Sequence, residues 1–596
     1  MCLSFCACIG FPHEKFYIHF QHDIKRMKTF TKRLFFALIV AVSAVGAFFY
    51  VLNTGPTQAT LLLTNGKIYT LDPGNRIVQA VAIRNNRIVV TGSSEDLLKN
   101  VHADSVIDLR GKTVVPGLID GHAHMNGLGN LIHSINLFDV PSPEDAVRSV
   151  RDRIAQSKKG EWIIGRGWDQ NLWSVKEFPT AAMLDDVSPD NPVVLIRVDG
   201  HAIWVNSAAM RIGNVTRETK DPEKGKIVRD SKGNPTGIFV EDQARDLIES
   251  HMPPLSEIEL EQNILTAADE CLKVGITEVC DMAIDSDLVT AYIHLADEHR
   301  LPIRIYASIL GPSATWESWK RRSPLIGYAN GMLTIRGMKM YADGALGSRG
   351  AALVNEYSDD PGNRGTTTTT EDEMDREVRA ALTHGYQPMI HAIGDRANSM
   401  VLDAYQKVLA SIPPGDYRPR IEHAQVLLPG DIARFHQLGV LPSMQPVHAT
   451  SDMYWAEARL GPSRILGAYA WQSLLRTGSK IIAGSDFPND AMNPLWGFYA
   501  AITRSDRDGY PADGWYRDQC MTRDQALRCY TEWAAYGAFQ EGEKGTIERG
   551  KLADLTVLTK DIMEIPPPEI LSTEISMTIV DGKIVYTKQS STADVR

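Results

Sequence analysis

The β-branched run Lys112-Thr113-Val114-Val115-Pro116 leads straight into Gly117-Leu118-Ile119-Asp120-Gly121-His122-Ala123-His124. Side chains alternate faces along a strand, so two histidines one residue apart point the same way. At a strand end, His122 and His124 can therefore reach one metal ion. Alone, a His-x-His pair is a weak signal. Here three further segments share its style. His391 opens His-Ala-Ile-Gly-Asp after Gln387-Pro388-Met389-Ile390, His423 closes Arg420-Ile421-Glu422-His423, and Asp486 follows Ile481-Ile482-Ala483-Gly484-Ser485. Each candidate ends a short apolar run and adjoins small or Gly residues. Imidazole with carboxylate is the ligand set of a hydrolytic divalent metal site, most often zinc.

The 596 residues are 43% hydrophobic and 23% charged, which suits one large globular unit plus a smaller one. A net charge of -11 and the lack of a basic, aromatic-interleaved stretch argue against a nucleic-acid partner. None of the seven cysteines forms a C-x-x-C pair, which excludes a thiolate metal site of that kind. Cys271 and Cys280 flank an apolar helix-to-strand stretch and read as buried thiols.

Residues 34–52 are uncharged and mostly apolar, just long enough to span a hydrocarbon core. Lys25, Arg26, Lys28, Lys32 and Arg33 precede them, and no cation follows until Lys67. The positive-inside rule then puts the remainder outside the cytoplasm. Two readings stand. The run is a retained, single-pass signal anchor, or a signal peptide cut near Thr57-Gln58-Ala59 that releases a secreted or periplasmic protein. Residues 1–33 form a cytoplasmic basic tail, unless the start lies at Met27.

Beyond Ala59 the chain is β-patterned at both ends. Leu61-Leu62-Leu63-Thr64 meets an Asn65-Gly66 turn, and Ser576-Met577-Thr578-Ile579-Val580 meets Asp581-Gly582, both strong hairpin signals. Between the ends, short apolar strands alternate with amphipathic segments of helix length. The fold expected is α/β: a TIM-like (β/α)8 barrel over residues 114–545, with a small β-sandwich built from residues 60–113 and 546–588, preceded by the transmembrane helix. Val193–Arg197, Gly275–Val279, Ile303–Tyr306 and Leu333–Met340 are further candidate strands. Such barrels carry catalytic groups at the C-terminal ends of their strands.

The order of these motifs resembles the amidohydrolase superfamily. Finer motifs resemble its family 3 branch, which includes N-substituted formamide deformylase-like enzymes. They are Gly165-Arg166-Gly167-Trp168-Asp169, Asp199-Gly200-His201-Ala202, Lys339-Met340-Tyr341-Ala342-Asp343-Gly344, continuing to Arg349, and Gly484-Ser485-Asp486. The resemblance spans roughly residues 60 to 588. It implies that His122, His124 and Asp486 hold one metal, that His391 and His423 hold a second, and that Lys339, carboxylated by CO₂, bridges them. A solvent-facing Lys339, or one paired with Asp343, is the alternative, with Asp343 then the anionic ligand. Two zinc ions per chain are implied, with Asp486 taking a proton from a metal-activated hydroxide nucleophile's water and passing it to the leaving nitrogen.

The expected activity is hydrolysis of a C–N amide bond in a small N-substituted formamide-like molecule. A cyclic amide, carbamate or ester hydrolase would use the same metals, and a membrane-tethered scaffold would lack ligands that are all present. Neither a phosphate-binding loop nor a Gly-x-Ser-x-Gly elbow occurs. His201 either contacts substrate or makes a structural hydrogen bond. Trp168 and Trp173 either wall an apolar pocket or pack in a core. Arg349 and Gln445 are candidates for binding a substrate polar group, and His448 reads as an ordinary helix or loop residue. The partners expected are a small-molecule substrate and, through the N-terminal helix, a membrane; barrels of this kind also admit a homodimer.

Overall fold

The computed structural model describes residues 56–588 apart from positions 139, 199 and 224. The apolar run at residues 34–52 lies outside the described residues. Among those described, no helix is long and apolar enough to cross a membrane.

Eight parallel strands form the barrel: β1 (Leu118–Ala123), β2 (Ile276–Ile284), β3 (Arg304–Leu310), β4 (Leu333–Tyr341), β5 (Gln387–Ala392), β6 (Arg420–His423), β7 (Leu441–Met444) and β8 (Ile482–Ala483). They follow one another in sequence order around the sheet. β1 and β8 meet at the seam. A Cβ on Gly121 would stand 2.3 Å from Ile482 Cγ2, so only glycine admits this approach. Just past the seam, Asp486 N–H donates to His122 O (2.7 Å) and His124 N–H to Phe487 O (2.9 Å). Inside the barrel, Cys280, Met282, Tyr306 and Met389 pack beneath the mouth.

Both chain ends share the smaller unit. Leu555–Leu558 runs antiparallel to Thr113–Pro116, pairing Leu555 with Pro116 and Leu558 with Thr113. This six-stranded sheet faces a four-stranded one, and Leu63, Val81, Ile83, Val114, Val557 and Ile579 fill one apolar core between them. Arg304 of β3 forks onto Asp554 (Nε to Oδ2, 2.7 Å; Nη2 to Oδ1, 3.0 Å), a buried ion pair that fastens the barrel to this unit.

A third sheet interrupts the barrel between β1 and β2. Its six strands include Ile135–Asn136, Ile163–Trp168, Val193–Arg197, Ala202–Val205 and Pro235–Val240. Each face has its own apolar core, one around Trp168, Trp173 and Trp204, the other around Val194, Ile203 and Phe239. Val193–Arg197 therefore belongs here rather than to the barrel. A strand buried on both faces reads as a continuous apolar run, and that pattern does not say which sheet it joins. Cys271, Cys280 and Cys529 are buried free thiols, and Cys520 is partly buried.

Candidate metal centre

The side chains of His122, His124, Lys339, His391, His423 and Asp486 all line one cavity of about 780 Å³ at the C-terminal mouth of the barrel. The His122 and His423 rings lie 4.7 Å apart, and those of His391 and His423 4.6 Å apart. Donor atoms of His122, His423 and Asp486 all fall within 4.8 Å of one another.

Local structure sets each of these groups. On β1, Asp120 and His122 share a face by strand alternation. Asp120 accepts from His122 N–H (3.1 Å), Ser485 N–H (3.1 Å) and Ser485 Oγ (2.6 Å), so it clamps the Gly484-Ser485-Asp486 turn to β1. Gly484 tolerates no side chain there, since its Cβ would sit 2.5 Å from His122 N. On β6, Arg420 and Glu422 share the inward face, and alternation alone would turn His423 away. The backbone leaves the extended region at His423 (φ 71°) and Ala424 (φ 42°), and the imidazole enters the mouth. Asp486 also has positive φ, at 63°.

Two of the imidazoles are held from behind. His122 donates Nδ1–H to Glu422 Oε2 (2.6 Å), which leaves Nε2 facing Asp486 Oδ1 at 3.6 Å. Glu422 is fixed in turn by Arg420, whose Nε donates to Oε1 (2.7 Å) while Nη2 reaches Gly121 O (2.6 Å) and Ser443 Oγ (2.9 Å). His423 donates Nδ1–H to Gln445 Oε1 (2.8 Å). A ligating histidine needs such an outer partner to set its tautomer.

Electrostatics favour neutral imidazoles. Burial, with the charge of Lys339, pushes His122 down to about 4 and His391 down to about 3. Burial and the neighbouring His391 and His122 take His423 well below the usual histidine range. Burial would raise Asp486, but a hydrogen bond from His124 (Nε2 to Oδ1, 3.1 Å) and the neighbouring imidazoles of His122, His423 and His448 hold it well below the carboxylate range. Burial would also raise Glu422, and Arg420 overrides it. Burial lowers the Lys339 amine to about 8 against the opposing pull of Glu422 and Asp486.

The chemistry of this donor set fits a divalent metal. The imidazoles of His122, His391 and His423 are neutral, Asp486 is anionic, and His391 Nε2 is buried without a hydrogen-bond partner. Asp343, the alternative ligand, spends its carboxylate on the backbone N–H groups of Ala352 (2.8 Å), Ile393 (3.0 Å) and Gly394 (2.8 Å). Burial raises it to about 7 despite those bonds.

The other candidates sit elsewhere. Trp168 is fully buried in the inserted sheet and donates Nε1–H to Leu195 O (2.8 Å). His201 is half exposed beside Glu241 (3.2 Å). Arg349 pairs with Asp359 (2.9 Å). Gln445 stands behind His423, outside the main cavity's lining. Sequence reasoning missed Glu422, Arg420 and Asp120, although the period-two spacing of Arg420 and Glu422 carried a signal. It also left His448 unassigned, yet His448 lines the cavity.

Comparison with known proteins completes the picture. The amidohydrolase family model matches residues 105–586. This chain belongs to the amidohydrolase family. It is a metal-dependent hydrolase that acts on carbon–nitrogen bonds of small molecules. Protein LONG AFTER FAR-RED 3 of Arabidopsis thaliana is 34% identical over 89% of this chain and 92% of its own length. N-substituted formamide deformylase of Arthrobacter pascens is 28% identical over 89% of this chain and 99% of its own. A crystal structure of an uncharacterized metal-dependent hydrolase from Pyrococcus furiosus superposes on the amidohydrolase with a TM-score of 0.71 at 28% identity, covering 85% of this chain and 100% of that one.

Proposed function

We propose that this amidohydrolase cleaves the C–N bond of a small N-substituted formamide or related open-chain amide, with Asp486 as general base and then general acid. The observation that carries the reading is convergence. Donor atoms of His122, His423 and Asp486 lie within 4.8 Å of one another, in the cavity that also receives His124, His391 and the buried amine of Lys339.

His122, His124 and Asp486 would hold one zinc ion, His391 and His423 a second, and a carbamate on Lys339 would join them. Carbamate formation needs a neutral amine, and a lysine lowered to about 8 supplies one near neutral pH. Bound metal supplies an activated water and a polarised carbonyl. Asp486 handles the proton. Held well below the usual range, it is ionised and so has an open site for the proton, which it then hands to a nitrogen that departs poorly as an anion. His124 and Asn489, whose Nδ2 lies 3.3 Å from Oδ1, aim its carboxylate.

Tyr341, Leu346 and Trp455 give the cavity apolar wall, which suits a hydrocarbon or aryl substituent on the nitrogen. The resemblance to N-substituted formamide deformylase makes formanilide the first compound to test. The basic residues before the apolar run at 34–52 support an enzyme anchored with its catalytic part outside the cytoplasm.

The test is metal counting on the full chain expressed with zinc and bicarbonate, joined to an assay for aniline release from formanilide. About two equivalents per chain with turnover are expected. A folded chain without metal, or a loaded chain that leaves formanilide and N-alkylformamides intact, removes the reading.

A further inference from the structure

We propose that His448 is a further catalytic residue, one that hydrogen-bonds the leaving nitrogen of the amide through Nε2 beside Asp486. The proposal rests on the amide-hydrolysing reading of the cavity.

His448 lies on the helix Pro446–Asp452, which starts directly after Gln445. Gln445 holds His423 at Nδ1. Three residues on, close to one helical turn, His448 enters the same cavity. Its ring lies nearly parallel to that of His423, at 18° with centroids 6.0 Å apart. The same helix start therefore positions two imidazoles near Asp486, His423 through Gln445 and His448 directly. The far end of the helix is anchored too. Asp452 accepts from Tyr469 Oη (2.6 Å) and Gln425 Nε2 (2.7 Å).

His448 Nε2 stands 3.8 Å from Asp486 Oδ2. That is too far for a hydrogen bond, and about right for one substrate atom to hydrogen-bond both groups at once. The atom between them must donate an N–H to one group and offer a lone pair to the proton on the other. The leaving nitrogen of a secondary amide does both. It gains a lone pair as amide resonance is lost, and that lone pair must be protonated before the bond breaks. The nitrogen's own N–H donates to His448 Nε2, which turns the lone pair toward Asp486. Asp486 delivers its proton to that lone pair, the C–N bond breaks, and His448 neither gains nor loses a proton. Four imidazoles already account for the metal donors, which leaves this fifth for the substrate.

Leaving-group dependence tests the role. His448→Ala and His448→Gln are compared with wild type on N-benzylformamide, a poor leaving group, and on 4-nitroformanilide, a good one, with metal counted in each. His448→Ala should lower kcat about 100-fold on the poor leaving group and less than about 10-fold on the good one, at unchanged metal content. His448→Gln, which keeps a hydrogen-bond acceptor in its side-chain carbonyl, should recover part of the loss. Equal losses on both compounds, loss of metal, or changes under about threefold on both would overturn the proposal. A wild type inert on both amides removes the amide reading itself and this role with it. An active wild type with evenly slowed variants removes only the role of His448.

Discussion

The barrel mouth and the inserted sheet both carry histidine, tryptophan, arginine and aspartate in motif-like runs, and they use them differently. In the inserted sheet, Trp168 and Trp173 stack and Trp204 meets both edge to face, a core with ring centroids 5.9 to 6.4 Å apart. Its polar groups pair locally, Arg197 with Asp169 and His201 with Glu241. At the mouth, polar groups arrive from five different strand ends or the turns beyond them and face one another. What brings them together is an outer layer of buried polar bonds: Glu422 and Arg420 behind His122, Gln445 behind His423, Asp120 behind the Asp486 turn. A motif becomes a centre when neighbouring strands supply that layer.

The largest effect should come from the mouth itself. Asp486→Asn keeps the shape of the turn but removes the proton acceptor, and kcat should fall by about 10³-fold or more in a formanilide assay. Wild-type rates in that variant would move proton handling to another group. Glu422→Gln should act one layer out. It keeps the shape of the side chain and weakens the hold on His122, so metal affinity of the folded variant, read by chelator competition, should drop about 10- to 100-fold. An unchanged affinity would mean that the outer layer does not govern the centre.

Acid offers a finer probe. His391 titrates near 6.5 unfolded and near 3 folded, so its contribution to stability is complete above about 6.5 and is lost as pH falls toward 3. His391→Gln lacks this proton. In the metal-free protein, its Tm minus that of wild type should therefore rise as the buffer is taken from about pH 7 to about pH 5. A difference independent of pH would place His391 in contact with solvent. The smallest effect belongs to the inserted sheet. His201→Ala should leave kcat/KM within about threefold and stability within about 0.5 kcal/mol, as for other surface substitutions. A large loss of kcat/KM would show that the two regions meet around substrate and would dissolve the contrast.

The sequence exposes the centre more readily than the architecture around it. His122, His391, His423 and Asp486 each end an apolar run beside small residues, and that local signature is legible without a partner. The two β-patterned ends are equally plain, although only Asp581-Gly582 makes the hairpin its sequence announces; the strands on either side of Asn65-Gly66, Thr57–Thr64 and Lys67–Tyr69, enter different sheets. The inserted sheet is not legible, since Val193–Arg197 looks like any buried parallel strand. His448 is hidden for another reason: it sits on a helix, and nothing local announces that the helix points at Asp486. Gln445 carries a polar amide that could serve substrate or histidine equally well, and only the position of His423 decides between them.

The pairing of Leu555–Leu558 with Thr113–Pro116 has a consequence for synthesis on the ribosome. A segment translated early waits for one translated more than four hundred residues later. Until then Val114 and Leu63 lack the cover that Val557 and Ile579 provide. A transcript cut short near its 3′ end would therefore yield a barrel with an open flank, a natural target for chaperones and proteases.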